Sequence, residues 1–289
     1  MLSNQQQESK RVINRSQLKF HETFQPETGY ISKILELASK SYQGSKFEIS
    51  EITGIPTGNL KGKVEPNIKY AAYMNLITYE VVKGIYMLSL TDMGKEVFEQ
   101  DRYLQDHLTK WICHYGITQR FSGAIQWAYL VNEAHTGYIQ GISQERLLNQ
   151  AVKFWGVDIT FEEAFGVVKR SYLDGIFADL EYFYVDDVSG EFKFNEIQDK
   201  EELLFVYAYA ILNSWKLCYP NSMEITMIQL MNELSFGKVF GLNDDSVHEV
   251  LEDLCNEGIL SVNRQLFPAT IMRSATVAGI LPLLYSRLL

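Results

Sequence analysis

The side chains that could do chemistry fall in a few places. His21-Glu22 joins an imidazole to a carboxylate, a pair suited to proton transfer or to two ligand positions on a metal. No second histidine follows to complete HExxH, and zinc takes three or four protein ligands. The plainer reading is that both residues hydrogen-bond a turn ahead of a helix. Cys113-His114 poses a similar choice. Neighbours on a helix point about 100° apart and do not chelate together, so a core thiol beside a hydrogen-bonded histidine is expected. Asp186-Asp187 and Asp244-Asp245 read as solvated or capping carboxylates. A different chemistry is offered by Lys61, Lys63 and Lys69, interleaved with Asn59, Asn67 and Tyr70, opposed by Glu65 and followed by Lys83. Lysines neutralise phosphates, and an asparagine can read an adenine edge. The sequence has no GxxxxGK[ST] loop, no GxGxxG fingerprint and no GxSxG elbow. The expectation is therefore a non-catalytic protein that needs no metal and no cofactor.

The elements that would position those lysines lie between Phe47 and Asp101. Phe47-Glu48-Ile49 reads as a short extended piece, and Ser50 as the cap of a helix over Glu51–Thr53. Gly54 to Gly58 reads as a turn, because Gly54 can stop a helix and Pro56 cannot continue one. A second helix is predicted over Pro66–Asn75. Ile77–Val82 and Ile85–Leu90 are two β-rich runs around Lys83-Gly84, a two-residue hairpin signal. A last helix starts at Thr91 or Asp92. Helix, turn, helix, hairpin, helix is the order of a winged helix, whose second turn-motif helix enters the major groove.

The remainder reads as mostly helical, with an amphipathic run from Leu104 to Tyr115, a capping box from Thr160 to Glu163, and a short hairpin at Phe192 and Phe194. The last seventy residues repeat the winged order more faintly. Ser222 is read as a cap and Phe236–Gly241 as a linker. A helix follows Asn243, and strands Ile259–Val262 and Leu266–Ile271 flank a turn. The candidate recognition helix there carries Asp244, Asp245, Glu249, Glu252, Asp253 and Glu257, a surface that would repel DNA.

With 46% hydrophobic and 13% aromatic residues, the 289-residue chain can build a core, which excludes a disordered class. No apolar run approaches the ~20 residues of a membrane helix. Three dispersed cysteines are not a disulfide framework and fit a reducing, cytoplasmic setting. The net charge of -10 is uneven. Residues 1–120 hold 15 Lys/Arg against 13 Asp/Glu, and residues 121–289 hold 11 against 23. The first part can approach a phosphate backbone, and the second suits protein contacts.

Phe20-His21-Glu22-Thr23-Phe24, with Tyr30, resembles the opening HETF signature of an uncharacterised bacterial domain-of-unknown-function family. Thr53–Gly58, Gly62–Pro66, Leu90–Gly94, Trp111–Tyr115 and Gly237–Leu242 look like its later blocks, in order. Lys19-Phe20 stands where that family often has a glycine before the histidine. Members lie in defence islands, often beside a sulfurtransferase that resembles phosphoadenosine-phosphosulfate reductases and takes part in DNA phosphorothioation. The resemblance implies a role in DNA modification or anti-phage defence, and brings no catalytic residues; His21 and Glu22 are motif residues of unknown role.

The expected fold is mainly α with small β-hairpins. Residues 1–18 form a flexible arm, weakly basic through Lys10, Arg11, Arg15 and the adjoining Lys19; 19–102 form an N-terminal winged helix-turn-helix; 103–220 a helical middle; and 221–289 a C-terminal winged-helix-like module. The expected function is a DNA-binding accessory subunit that contacts double-stranded DNA through Lys61, Lys63, Asn67, Lys69 and Lys83. Its acidic part would hold a protein partner such as the sulfurtransferase. The alternative is an adaptor that docks a sulfurtransferase or nuclease without touching DNA.

Overall fold

The computed structural model describes residues 13–135, 140–265 and 267–288. Lys10, Arg11 and Leu266, named above, lie outside them. The chain is mainly helical with small antiparallel sheets.

Helix α1 (Arg15–Leu18) is a single turn closed by a capping box between Asn14 and Gln17. This part of the expected arm is docked, because Leu18 is buried in the core. Helix α2 (Thr28–Ser39) buries Ile31, Ile34, Leu35 and Ala38 at the predicted spacing. Strand β1 (Gln43–Ser45) leads directly into α3 (Lys46–Thr53). Here the sequence reading is corrected: Phe47–Ile49 is helical. Ser45 rather than Ser50 is the cap, and Glu48 returns its hydrogen bond, a pairing that satisfies two otherwise orphaned amides. Gly54 ends the helix at φ 69°, and Lys33 Nζ donates to the last carbonyl at Thr53, 2.7 Å away. After a loop comes α4 (Val64–Tyr73). Strands β2 (Ile77–Val82) and β3 (Ile85–Leu90) form the predicted hairpin. Lys83 (φ 50°) and Gly84 (φ 80°) both adopt the left-handed conformation, the requirement of a type I′ turn. The sheet order is β1-β3-β2. Thr91 caps α5 (Asp92–Asp101) by accepting from Gly94 N–H.

The middle comprises α6 (His107–Thr118), α7 (Ile125–Tyr129) running into a π-helical turn at Leu130–Ala134, α8 (Gln144–Trp155) and α9 (Val167–Leu173), preceded by a π-helical turn at Glu162–Gly166. Strands β4 (Phe183–Val185) and β5 (Phe192–Phe194) make the expected short hairpin.

Helix α10 (Leu204–Cys218) opens the last part and is buried along most of its length, up to Trp215. Strand β6 (Glu224–Thr226) replaces the helix expected after Ser222. Its last residue, Thr226, caps the following helical turns, with Gln229 reciprocating. The expected linker is α11 (Phe236–Phe240), with Phe236, Val239 and Phe240 buried. Asn243 caps α12 (Asp244–Asn256) as expected. Strands β7 (Leu260–Asn263) and β8 (Thr270–Arg273) complete a sheet of order β6-β8-β7, with β8 starting later than read from the sequence. Thr276 caps α13 (Val277–Ile280) by accepting from Gly279 N–H, as Thr91 does with Gly94. Two parts of the chain thus share one order: a helix, a strand ending in a capping box, further helical elements (two in the first part, three in the second), a hairpin folded back on the first strand, and a threonine-capped helix.

Candidate nucleic-acid interface

His21 and Glu22 do not converge. His21 is buried and its Nδ1 accepts from Thr23 N–H at 3.1 Å. Burial lowers its pKa to about 4, against the smaller opposing effect of a hydrogen bond to the Glu163 backbone. Glu22 turns the other way, and its Oε2 accepts from Gly62 N–H at 3.1 Å. Glu22 and Thr23 both have positive φ, 49° and 80°, which lets adjacent side chains face different elements. The motif acts as a clasp. Arg170 donates to the Thr23 carbonyl, and Tyr70 Oη–H to the Phe24 carbonyl at 2.8 Å. Phe20 packs edge-on against Tyr70 and Tyr73 at centroid distances of 5.1 and 4.9 Å, and Trp127 of α7 closes the pile at 5.9 Å from Tyr70. Beside it, Arg15 and Lys19 both pair with Glu163, which holds that carboxyl down at about 2.

This clasp closes on α4 at Tyr70. None of its ten residues is exposed, and Val64, Pro66, Asn67, Ile68, Tyr70 and Ala71 are buried. Asn67 is the clearest correction to the sequence reading. It is 0% exposed, accepts from Glu27 N–H at 3.3 Å and donates to the Lys63 carbonyl at 2.8 Å. Reading a base edge would cost it both partners. Lys63 is also engaged: it pairs with Glu27 at 2.7 Å and lies over the Phe24 and Tyr30 rings. The hydrogen bond to Glu27 raises its pKa. Lys69 is half-buried, whereas Lys61 and Lys83 are exposed.

Lys61 and Lys83 lie on two segments, the loop before α4 and the hairpin tip, that are joined through Glu65. Glu65, in the first turn of α4, accepts from Tyr86 Oη–H at 2.6 Å and pairs with Lys46 at 2.9 Å. It thereby ties the loop before α4, the hairpin and the start of α3 together. Tyr86 lies three residues from Lys83, and Glu65 four from Lys61. The loop is closed at its base by Lys63 N–H donating to the Pro56 carbonyl at 2.7 Å. It is also folded tightly on itself, since a Cβ on Gly62 would stand 2.7 Å from Thr57 Cα. Leu60 at its tip is 94% exposed. The sequence reading missed Leu60 and the clasp partners Glu27, Trp127, Glu163 and Arg170. A lone leucine among polar loop residues was the signal for the first. The others carry no local signal, because they are distant in sequence.

The other histidine-containing pair is structural. Cys113 is buried, and its thiol pKa is raised by burial. His114 lies at 2.6 Å from Tyr172 Oη and 2.7 Å from the Val239 carbonyl. Nε2–H must donate to the carbonyl, so Nδ1 accepts from the tyrosine and the ring is neutral; burial lowers its pKa to about 4. Asp186 pairs with Lys193 and accepts from Ser189, as a turn carboxylate does. Among the described residues no three His, Cys, Asp or Glu gather where they could hold a metal ion, and no helix is long and apolar enough to cross a membrane.

No curated protein matches this sequence. Among solved structures, the chain is similar to one described as a magnesium ion-bound SspB crystal structure, with 16% identity and a TM-score of 0.76 over 92% of this chain and 87% of that one. It is also similar to a second, described as an SspB crystal structure, with 15% identity and a TM-score of 0.72 over 94% and 88%. At these identities the likeness is one of fold. A family model described as a protein of unknown function, DUF4007, matches residues 19–274. From the HETF clasp to the last strand, the chain belongs to the DUF4007 family.

Proposed function

We propose that this protein is a non-catalytic DNA-binding subunit of a bacterial DNA-modification or anti-phage defence system. The resemblance of its motif blocks to a defence-island family points that way, and so does the fold-level similarity to SspB, a phosphorothioation system component. Helices α2 to α5 with their sheet are read as a winged helix-turn-helix, and residues 221–289 as a winged-helix-like module. The observation that carries the reading is that Lys61, on the loop between the helices, and Lys83, on the hairpin tip, are both exposed, while the Tyr86–Glu65 hydrogen bond ties the hairpin to the start of α4. The contact surface is the loop and the wing, with Lys69 at its edge, rather than the covered face of α4.

The test is a salt-titrated binding assay of the full chain on unmodified and phosphorothioated duplexes, with magnesium present and absent. Affinity should fall with salt as counterions are released, and Lys61→Glu with Lys83→Glu should flatten that dependence while leaving the fold intact. Binding that does not depend on salt or on these lysines overturns the surface. Strand cleavage in magnesium overturns the non-catalytic reading.

A second reading is favoured by α12, whose outward face carries Asp244, Asp245, Glu249, Glu252 and Asp253, all exposed. This surface repels phosphate and suits a basic protein partner, and the neighbouring sulfurtransferase is the candidate. Retention of that enzyme on the immobilised chain, and its loss with Asp245→Lys and Glu249→Lys, would support docking. If DNA binding were absent as well, the adaptor would be the whole function.

A further inference from the structure

The most exposed apolar side chain in the N-terminal module is Leu60, and its setting differs from that of an ordinary surface leucine. It sits at the tip of a loop closed by the Lys63–Pro56 hydrogen bond and pinned by Glu22 on Gly62 N–H. Gly62 packs so closely on Thr57 that the loop has little room to fold inward. Its neighbours in sequence are Asn59 and Lys61, both exposed. The closed loop thus holds an apolar side chain out in water between a hydrogen-bonding amide and a cation. The hairpin, joined to the start of α4 through Glu65, has Val82 and Ile85 flanking Lys83 at its tip, themselves exposed.

We infer that Leu60 is a wedge that enters a base step of duplex DNA from the minor groove, with Lys61 on the flanking phosphate and Asn59 at the groove floor. The inference rests on the DNA-binding reading above and sharpens it. Proteins that bind the minor groove frequently insert apolar side chains of this kind to unstack a step and bend the duplex. Pyrimidine–purine steps yield most easily. No residue of α4 is exposed for helix insertion, and the loop is closed at its base by the Lys63–Pro56 hydrogen bond and held by Glu22. Asparagine at the floor would favour A·T pairs, whose minor-groove edge offers acceptors alone.

The experiment uses the full chain and duplexes carrying 2-aminopurine at TpA steps, with dyes at the two ends. Wild-type binding should raise the 2-aminopurine fluorescence and shorten the end-to-end distance. Leu60→Ser should abolish both signals and weaken binding about tenfold, the order expected for withdrawing one buried leucine side chain. It should leave the salt dependence unchanged. Leu60→Phe should keep both signals. Lys61→Glu should reduce the salt dependence instead. Salt-dependent binding in which Leu60→Ser matches the wild type, or in which the wild type never raises the fluorescence, overturns the wedge and leaves the DNA reading standing. A chain that binds no duplex at any salt overturns both. Because Leu60 is exposed, its replacement does not disturb the core, and unchanged thermal unfolding of the variant confirms that.

Discussion

The N-terminal and C-terminal modules place their elements in the same order, with the sheets β1-β3-β2 and β6-β8-β7 superposable in topology. The helices that precede the hairpins, α4 and α12, have opposite fates. Helix α4 has no exposed residue, because α2, β2, α3 and α6 pack around it and the clasp and Trp127 close on Tyr70. Helix α12 buries Val247, Val250, Leu251 and Leu254 on one side and leaves its acidic side open. From β1 through β3 the chain holds five lysines against four glutamates; from β6 through β8 it holds three basic residues against eight acidic ones. Topology alone therefore does not decide which face of such a module is available. The N-terminal module offers loop and hairpin tips carrying lysine, and the C-terminal module offers a helix face that rejects phosphate.

The largest effect should come from breaking what closes α4. Phe20→Ala removes the ring that joins the clasp to Tyr70 and Tyr73, and should cost about 3–5 kcal/mol, read as a lowered denaturation midpoint. Loss of under 1 kcal/mol would mean the clasp is not part of the core. Acid should act on the same joint through His21, and on the α6–α9 packing through His114. Burial holds His21 and His114 neutral, each with a pKa of about 4, below the 6.5 of an exposed histidine. The unfolded chain takes up protons between pH 6.5 and 4 that the folded chain refuses. Stability present above pH 6.5 should fall as pH drops through that window, on the order of 3 kcal/mol per histidine at full effect. A flat profile from pH 7 to 4.5 would contradict both assignments.

Smaller effects sharpen the contrast. Glu22→Gln keeps the shape but weakens the acceptor for Gly62 N–H, and should cost about 1 kcal/mol. Asp245→Lys with Glu249→Lys on α12 should change stability by no more than about 0.5 kcal/mol per site, since both side chains are exposed. A large loss would show that the acidic face is structural and not a free surface.

The parts of this molecule that were legible in the sequence are those set by neighbours in the chain. The Lys83-Gly84 turn, the Thr91 and Asn243 caps and the Thr160–Glu163 capping box each depend on residues within four positions, and each is found. Phe47–Ile49 was misread because its β-prone residues outweighed the Ser45–Glu48 capping box beside them. Phe236–Phe240 was misread because two flanking glycines suggest a linker, whereas burial of its aromatics holds it helical. The site was less legible for a different reason. Asn67 and Lys63 look like surface residues in a lysine-rich stretch, yet what engages them comes from Phe24, Glu27 and Tyr30. Long-range closure of that kind leaves no local periodicity to read.

The central claim is that the N-terminal module meets DNA with its loop and wing while α4 stays covered. Hydrogen exchange of the full chain with and without duplex DNA tests it most directly. The account predicts added protection at residues 56–63 and 80–86, with α4 already slow and unchanged, and none on α12. Faster exchange in α4 and the clasp on adding DNA would mean that the helix is released to enter the groove, and would contradict the account.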